Sequence, residues 1–234
     1  MQLFYHSPIH ENSFLLDKEE AHHLIKVLRK SVGDHISFTD GEGYIFTCQI
    51  QELSLKKTII KVLDKKFVQK NPYHIHLAIA PTKNADRMEW MVEKAVEIGL
   101  DKITLMKTSN SERNYLKPDR LEKKAISALK QSLKVYKTII QQENNFKALI
   151  TNPEYTHIEK FIAYVDENLT HHLIDLATKG KEYLILIGPE GDFTPDEISM
   201  AIANGFKPCS LGASRLRTET AGIVAVHSLN LKNL

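Results

Sequence analysis

LILIGPEGDFTPDEI, residues 184–198, decides the fold. It begins as an apolar run, Tyr183–Ile187, of the kind found where both faces of a parallel strand are covered. It ends as a helix start: Thr194 can cap, Pro195 suits the first helical position, and Glu197 three residues after the cap completes a capping box. Between the two lies Gly188-Pro189-Glu190-Gly191. A loop pinned by a strand on one side and a capped helix on the other is held in place. Its two glycines let another group approach the backbone. Neither GxxxxGK[ST] nor GxGxxG occurs in the chain, so the ordinary phosphate-cradling loops are absent.

A second stretch has the same form. LGASRLRTETAGIVAV, residues 211–226, leaves a short strand (PCSLG), passes a glycine and enters an apolar helix. Thr218 reads as its N-cap, and Glu219 suits the positive end of the helix dipole. Arg215 and Arg217 add positive charge where the dipole is already positive, an arrangement that asks for an anion, Glu219 or Glu190 to answer it. The two loops are expected at the carboxyl ends of adjacent strands, where open α/β sheets bind ligands. A third stretch, TLMKTSNSERNYLK (104–117), runs from a strand into small polar residues and Arg113. Alone it reads as a surface turn.

Outward from these loops the chain divides. Residues 74–80, 102–107, 161–165 and 183–187 read as strands. They alternate with helices at 86–100, near 118–134 and 144–150, and from Pro195, with a last helix from about Thr218. Strands alternating with helices give an α/β sheet. In the 86–100 helix, Met88, Met91, Val92, Ala95 and Gly99 share one stripe. Before residue 70 the rhythm differs. A helix over 18–30 places Ala21, Leu24, Ile25 and Leu28 on one face and stops at Gly33. Three strands follow, 34–39, 43–50 and 57–64, the first two joined by Asp40-Gly41-Glu42-Gly43. Short strands and tight turns predict a small β-barrel or sandwich. FVQKNPY (67–73) is the linker, which sets domains of 1–70 and 71–234.

Composition excludes several classes. The chain has 234 residues, 42% apolar and 26% charged, which suits a packed soluble protein of one large or two smaller domains. Its two cysteines, Cys48 and Cys209, are far apart and fit neither a disulfide framework nor a zinc knuckle. The expected compartment is the reduced cytoplasm, with no metal, no signal peptide and no membrane span. A net charge of +2 implies no nucleic acid by itself. Residues 113–137, however, hold eight basic and two acidic side chains. Such a run is either a solvated helix face or the footprint of a phosphate-binding surface.

MEWMVEKAVEIGL, SER, LIGPEGDF and LGASRLRTETA, in this order, resemble the RsmE-like family of methyltransferases, which modify N3 of a uridine in 16S ribosomal RNA. HHLIKVLRKSVGD followed by DGEG is similar as well, so the resemblance spans nearly the whole chain. It implies a PUA-like β-barrel ahead of a SPOUT-type α/β domain with a trefoil knot, a homodimer whose subunits complete the sites, and S-adenosylmethionine as methyl donor. Leu186, Gly188, Pro189, Glu190, Gly191, Leu211, Gly212, Leu216, Thr218 and Thr220 are then expected at the cofactor. Catalysis is expected from Arg217, with Arg113 next, stabilising the uridine anion; Glu219 or Glu190 serves as base or only orders the loops or binds the cofactor, in which case solvent takes the proton. RNA contacts are expected from Lys26, Arg29, Lys30, Lys123, Lys124 and Lys134, with 16S ribosomal RNA or the small subunit as partner. Histidines 22, 23, 171 and 172 read as ordinary surface or hydrogen-bonded residues.

Three departures stand out. The family usually reads GPEGG where this chain has Asp192. It has Arg-Ile where this chain has Ser214-Arg215, and Glu-Gln-Ser-Gly-Arg where this chain has Lys130-Gln131-Ser132-Leu133-Lys134. A non-catalytic RNA-binding module, or a methyltransferase acting on another base or a ribose 2′-oxygen, fits the same residues.

Overall fold

The structure is a computed structural model that describes residues 2–9, 12–112 and 118–234. It divides into two compact units, Met1–Lys70 with Leu129–Lys137, and Asn71–Ala128 with Thr138–Leu234.

The first unit contains β1 (Leu3–Tyr5), β2 (Ser13–Leu15), α1 (Lys18–His22), β3 (His35–Thr39), β4 (Tyr44–Leu53) and β5 (Thr58–Phe67). The strands form one sheet in the order β1-β3-β4-β5-β2. β1 runs parallel to β3 and the other pairs are antiparallel. Register shifts in the β4–β5 ladder at Thr47/Cys48 and Ile50/Glu52 bend the sheet. Its two edges curl onto one core: Phe4 and Phe14 both pack on Phe38, at 5.3 and 5.0 Å between ring centroids, and His6 stacks on Phe14 at 4.5 Å. The result is barrel-like. β1 and β2 escaped the sequence reading because three residues are too few to display alternation.

The predicted 18–30 helix is shorter and changes type. After α1 the backbone opens into a π turn over His23–Val27. Ala21 and Leu24 are buried as expected. The left-handed stop falls on Arg29, at φ 52°. Gly33, also left-handed at φ 93°, instead turns the chain into β3, its N–H donating to the Ile50 carbonyl at 2.8 Å.

The second unit contains β6 (His74–Ile79), α2 (Ala85–Ile98), β7 (Lys102–Met106), α3 (Pro118–Gln131, whose last turn belongs to the first unit), β8 (Ile139–Glu143), α4 (Phe146–Ile150), β9 (Glu159–Ala163), α5 (Leu173–Leu176), β10 (Glu182–Ile187), α6 (Pro195–Ala203), β11 (Lys207–Cys209) and α7 (Thr218–Lys232). The sheet is parallel throughout, ordered β11-β9-β10-β6-β7-β8. β6 and β10 sit centrally, and Ile75, Leu77, Ile79, Leu184, Ile185 and Leu186 are fully buried. The predicted α2 stripe faces the core: Met88, Met91, Val92 and Ala95 are 0% exposed. β8 was not foreseen, because IIQQE at an edge carries too little apolar pattern. Among the described residues no helix is long and apolar enough to cross a membrane.

Two of the middle-helix departures have a structural account. Lys130, where the resembled family usually has glutamate, pairs with Glu20 of α1. Leu133, where that family usually has glycine, adopts φ 57°. Lys134 N–H donates to the Leu129 carbonyl at 3.0 Å and Leu133 N–H to Lys130 at 3.4 Å, the Schellman closure of a helix end. The backbone therefore keeps a glycine-type shape around a leucine that is 44% exposed. Leu133→Gly is expected to stabilise the fold by about 1 kcal/mol, read as a higher urea midpoint at constant slope. A lower midpoint would mean that the leucine side chain contributes more than its backbone costs.

Candidate functional site

β10 stops where its ladder must stop. Pro189 has no N–H to give, and a turn closes behind it as Asp192 N–H donates to the Pro189 carbonyl at 3.0 Å. Thr194 then starts α6 with the predicted capping box. Glu197 does more than cap. Its Oε2 accepts from Thr194 N–H at 2.9 Å, and its Oε1 accepts from the Ser109 N–H at 2.8 Å and the Ser109 hydroxyl at 3.0 Å. The loop after β10 is thereby tied to the loop after β7. Glu197 is 6% exposed, so Glu197→Ala, which leaves these donors without their acceptor, is expected to cost about 2 kcal/mol. Chemical denaturation measures it; a loss under a few tenths would show that water replaces the carboxylate.

The glycines act differently from the sequence expectation. A Cβ on Gly188 would meet the Phe193 ring at 3.1 Å, and one on Gly191 would meet Asn110 Cβ at 3.2 Å. The space beside them is filled by the protein itself. Open space lies instead beside Gly212, at φ 122° with nothing within 4 Å of a Cβ placed there.

The strands bearing the two principal loops are not adjacent, contrary to expectation: β9 lies between β10 and β11. Where α7 docks sets the path of the second loop. Gly222 brings α7 so close to β6 that an added Cβ would stand 3.0 Å from Ile79 Cδ1 and 3.6 Å from Met91 Sδ of α2. The chain must therefore cross from the edge strand β11 over the ends of β9 and β10 to reach β6. That is three strand spacings, about 14 Å, within reach of residues 210–217. The start of this path is fixed by Ser210, which donates to the His171 carbonyl at 2.9 Å and accepts from Leu173 N–H at 3.0 Å. His172 caps α5 through Nδ1.

The N-cap of α7 is Arg217, not Thr218; it makes no side-chain capping bond, and Thr218 is the first helical residue. The cap residue thus offers no side-chain acceptor to the positive helix end, and Arg215 and Arg217 just before it are exposed. Thr218 and Glu219 are buried, at 5% and 6% exposed. Glu219 faces Arg87 of α2, Nη1 to Oε1 3.6 Å. Arg87 was missed by the sequence reading. The available signal was its place three residues after Asn84, the N-cap of α2, at the exit of the central strand. The same exit carries Lys83, paired with Glu112 at 2.6 Å. The hydrogen bond to Glu112 is the main cause that raises the Lys83 pKa, with a smaller contribution from Glu190.

Of the other expected residues, Pro189 is buried, Glu190 and Gly191 are exposed, and Leu211, Leu216 and Thr220 are half-buried along the crossing segment. Leu186 lies inside β10 with its side chain in the core. Arg113 lies outside the described residues. Lys26 and Arg29 are exposed and Lys30 half-buried in the first unit, which also holds half-buried Lys134. Lys123 is exposed and Lys124 half-buried on the part of α3 in the second unit. Ser214, like Arg215, is exposed, and nothing in the structure explains that departure.

Comparison with known proteins gives two family matches: an RNA methyltransferase domain over residues 69–230 and an RNA methyltransferase PUA domain over residues 16–68. Ribosomal RNA small subunit methyltransferase E of Buchnera aphidicola subsp. Acyrthosiphon pisum is 32% identical, over 92% of this chain and 87% of its own. A probable rRNA-methyltransferase from Porphyromonas gingivalis has a similar crystal structure, with TM-score 0.91, 43% identity and 99% of both chains covered. Ribosomal RNA small subunit methyltransferase E from Neisseria gonorrhoeae, solved bound to S-adenosyl methionine, matches with TM-score 0.85 and 25% identity, over 99% of this chain and 97% of its own.

Proposed function

This chain belongs to the RNA methyltransferase family, with a PUA domain ahead of the methyltransferase domain, and from that premise we propose that it methylates N3 of a uridine in 16S ribosomal RNA. What supports the reading is the topology: the segment after the edge strand β11 leads to α7, which packs on β6 and whose N-cap, Arg217, makes no side-chain capping bond. S-adenosylmethionine fits there on three counts. Gly212 leaves open space beside the backbone, the positive end of α7 suits the carboxylate of the donor, and exposed Glu190 suits its cationic centres. Backbone groups of Gly188–Gly191 and Leu211–Thr220 are assigned to hold it. The chemistry it supplies when bound is an electrophilic methyl on a sulfonium, which calls for no metal.

The residues of the chain then serve the acceptor. Uridine N3 carries a proton, and its loss leaves charge on O2 and O4. Arg217, exposed at the mouth, is assigned to stabilise that charge. Glu219 is buried against Arg87 and orders the start of α7, whereas Glu190 has the solvent access that lets a base release its proton. Lys26, Arg29, Lys30, Lys123, Lys124 and Lys134 are assigned to phosphate contacts, which position the RNA without reading its sequence. A cytoplasmic homodimer with a knotted chain path, in which each α7 crosses beneath the loops that hold the donor, completes the proposal.

Nucleoside mass spectrometry of small-subunit RNA, incubated with protein and donor, tests it. New 3-methyluridine is the expected product. A methylated ribose or another base would move the activity to a different acceptor. No product, together with no heat on titrating donor in a calorimeter, would leave an RNA-binding module.

A further inference from the structure

Asp192 stands where the resembling family has glycine, and its backbone keeps the glycine shape, at φ 59°. A side chain in that conformation costs about 1 kcal/mol or more. Two bonds offset it. Oδ1 accepts from Phe193 N–H at 2.8 Å and Oδ2 from Val165 N–H at 2.9 Å. Val165 lies just past β9, the strand between the two loop-bearing strands. From the other side, Asn110 in the loop after β7 donates its Nδ2 to the carbonyls of Asp192 at 3.0 Å and Gly191 at 3.1 Å. Three strand exits therefore meet at one residue.

We infer that Asp192 is a positioning residue that ties the exits of β7, β9 and β10 into one wall for the methyl donor. The inference rests on the reading of the site given above. The Phe193 bond is local and serves the turn; the Val165 bond is what reaches the neighbouring strand. The crossing segment passes over the end of β9, so a fixed β9 exit sets the floor beneath it. Without the carboxylate, the Val165 N–H loses its acceptor, and the packing of Tyr164 on the core still holds the residue before it.

Asp192→Gly separates positioning from simple turn stability, since glycine accepts the positive φ while losing both bonds. Amide exchange at Val165, measured on the full chain without ligand, is expected to speed up about tenfold, and donor affinity by calorimetry to fall about tenfold. In turnover the loss falls on KM for the donor more than on kcat. Asp192→Asn, with one acceptor oxygen in the same volume, is expected to fall between the two. Unchanged Val165 exchange, or equal donor affinity in the native chain and Asp192→Gly, overturns the inference. A lowered melting temperature with native affinity does so too, because it leaves only a turn stabiliser. A native chain that binds no donor removes the reading of the site itself, which the native titration reveals before any variant is made.

Discussion

Arg217→Ala is expected to lower kcat by about 10²–10³-fold, the loss seen when one well-placed donor to a developing anion is removed. The fold is expected to survive intact. Arg217 is exposed, and as the N-cap of α7 it makes no side-chain capping bond. The backbone bond from Ala221 N–H to its carbonyl, 2.8 Å, does not depend on the side chain. Removing a positive charge from the positive end of a helix even favours the helix slightly. Single-turnover methylation at saturating RNA isolates the chemical step, and calorimetry with the donor checks that binding persists. Arg217→Lys is expected to recover only part of the rate, since an ammonium lacks the planar fork that reaches two oxygens. A rate within about twofold of native, when the loss expected of a transition-state donor is ≥10²-fold, would assign Arg217 to RNA binding or to no role.

Stability is expected to fall in mild acid because of one buried histidine. His76 in β6 is 2% exposed, and its Nε2 lies 2.7 Å from the Thr104 hydroxyl. That hydroxyl also accepts from Gln141 Nε2 at 2.8 Å, so it is placed to donate to a neutral imidazole. Burial first, then the positive charge of Lys102 and His74, lowers the His76 pKa from 6.5 to about 3. The folded form thus refuses a proton that the unfolded chain accepts. Between about pH 6.5 and 3 the unfolded chain gains stability from that proton, at up to about 1.4 kcal/mol per pH unit. The full contribution is present above the unfolded pKa and is lost as pH falls toward the folded one. Urea midpoints at about pH 7.5 and 4.5 should differ by an amount equivalent to about 2–3 kcal/mol from this group alone. His76→Gln, which keeps a polar end for Thr104, should reduce that difference by the same amount. An equal acid loss in the variant would place its origin elsewhere.

The local elements were legible because their causes are local. The Tyr183–Ile187 run is buried on both sides, the stripe of α2 falls at helical spacing, and the Thr194–Glu197 box lies within four residues. The hairpin at Asp40–Gly43 was legible for the same reason, with Asp40 Oδ1 accepting from Glu42 N–H at 2.8 Å. What failed was short or strained. β1 and β2 have three residues each, too few for periodicity to reveal them. The helix stop moved to Arg29 because a π turn shifted the frame that placed it at Gly33.

By its sequence alone this chain determined most strands and helices of the second unit, but not the edge strand β8 or the one-turn helix α5. It also determined that two glycine-bearing loops follow strands, and which arginines lie at the start of the last helix. These follow from side-chain pattern and capping chemistry within a few residues. Only the tertiary structure decided that β9 separates β10 from β11, that α7 returns to β6, and that Arg87 meets Glu219. It also gave Asp192 its partner 27 residues away and His76 its neutral state. Pairing across such distances depends on which buried surfaces fit one another, and no window of neighbouring residues contains both partners.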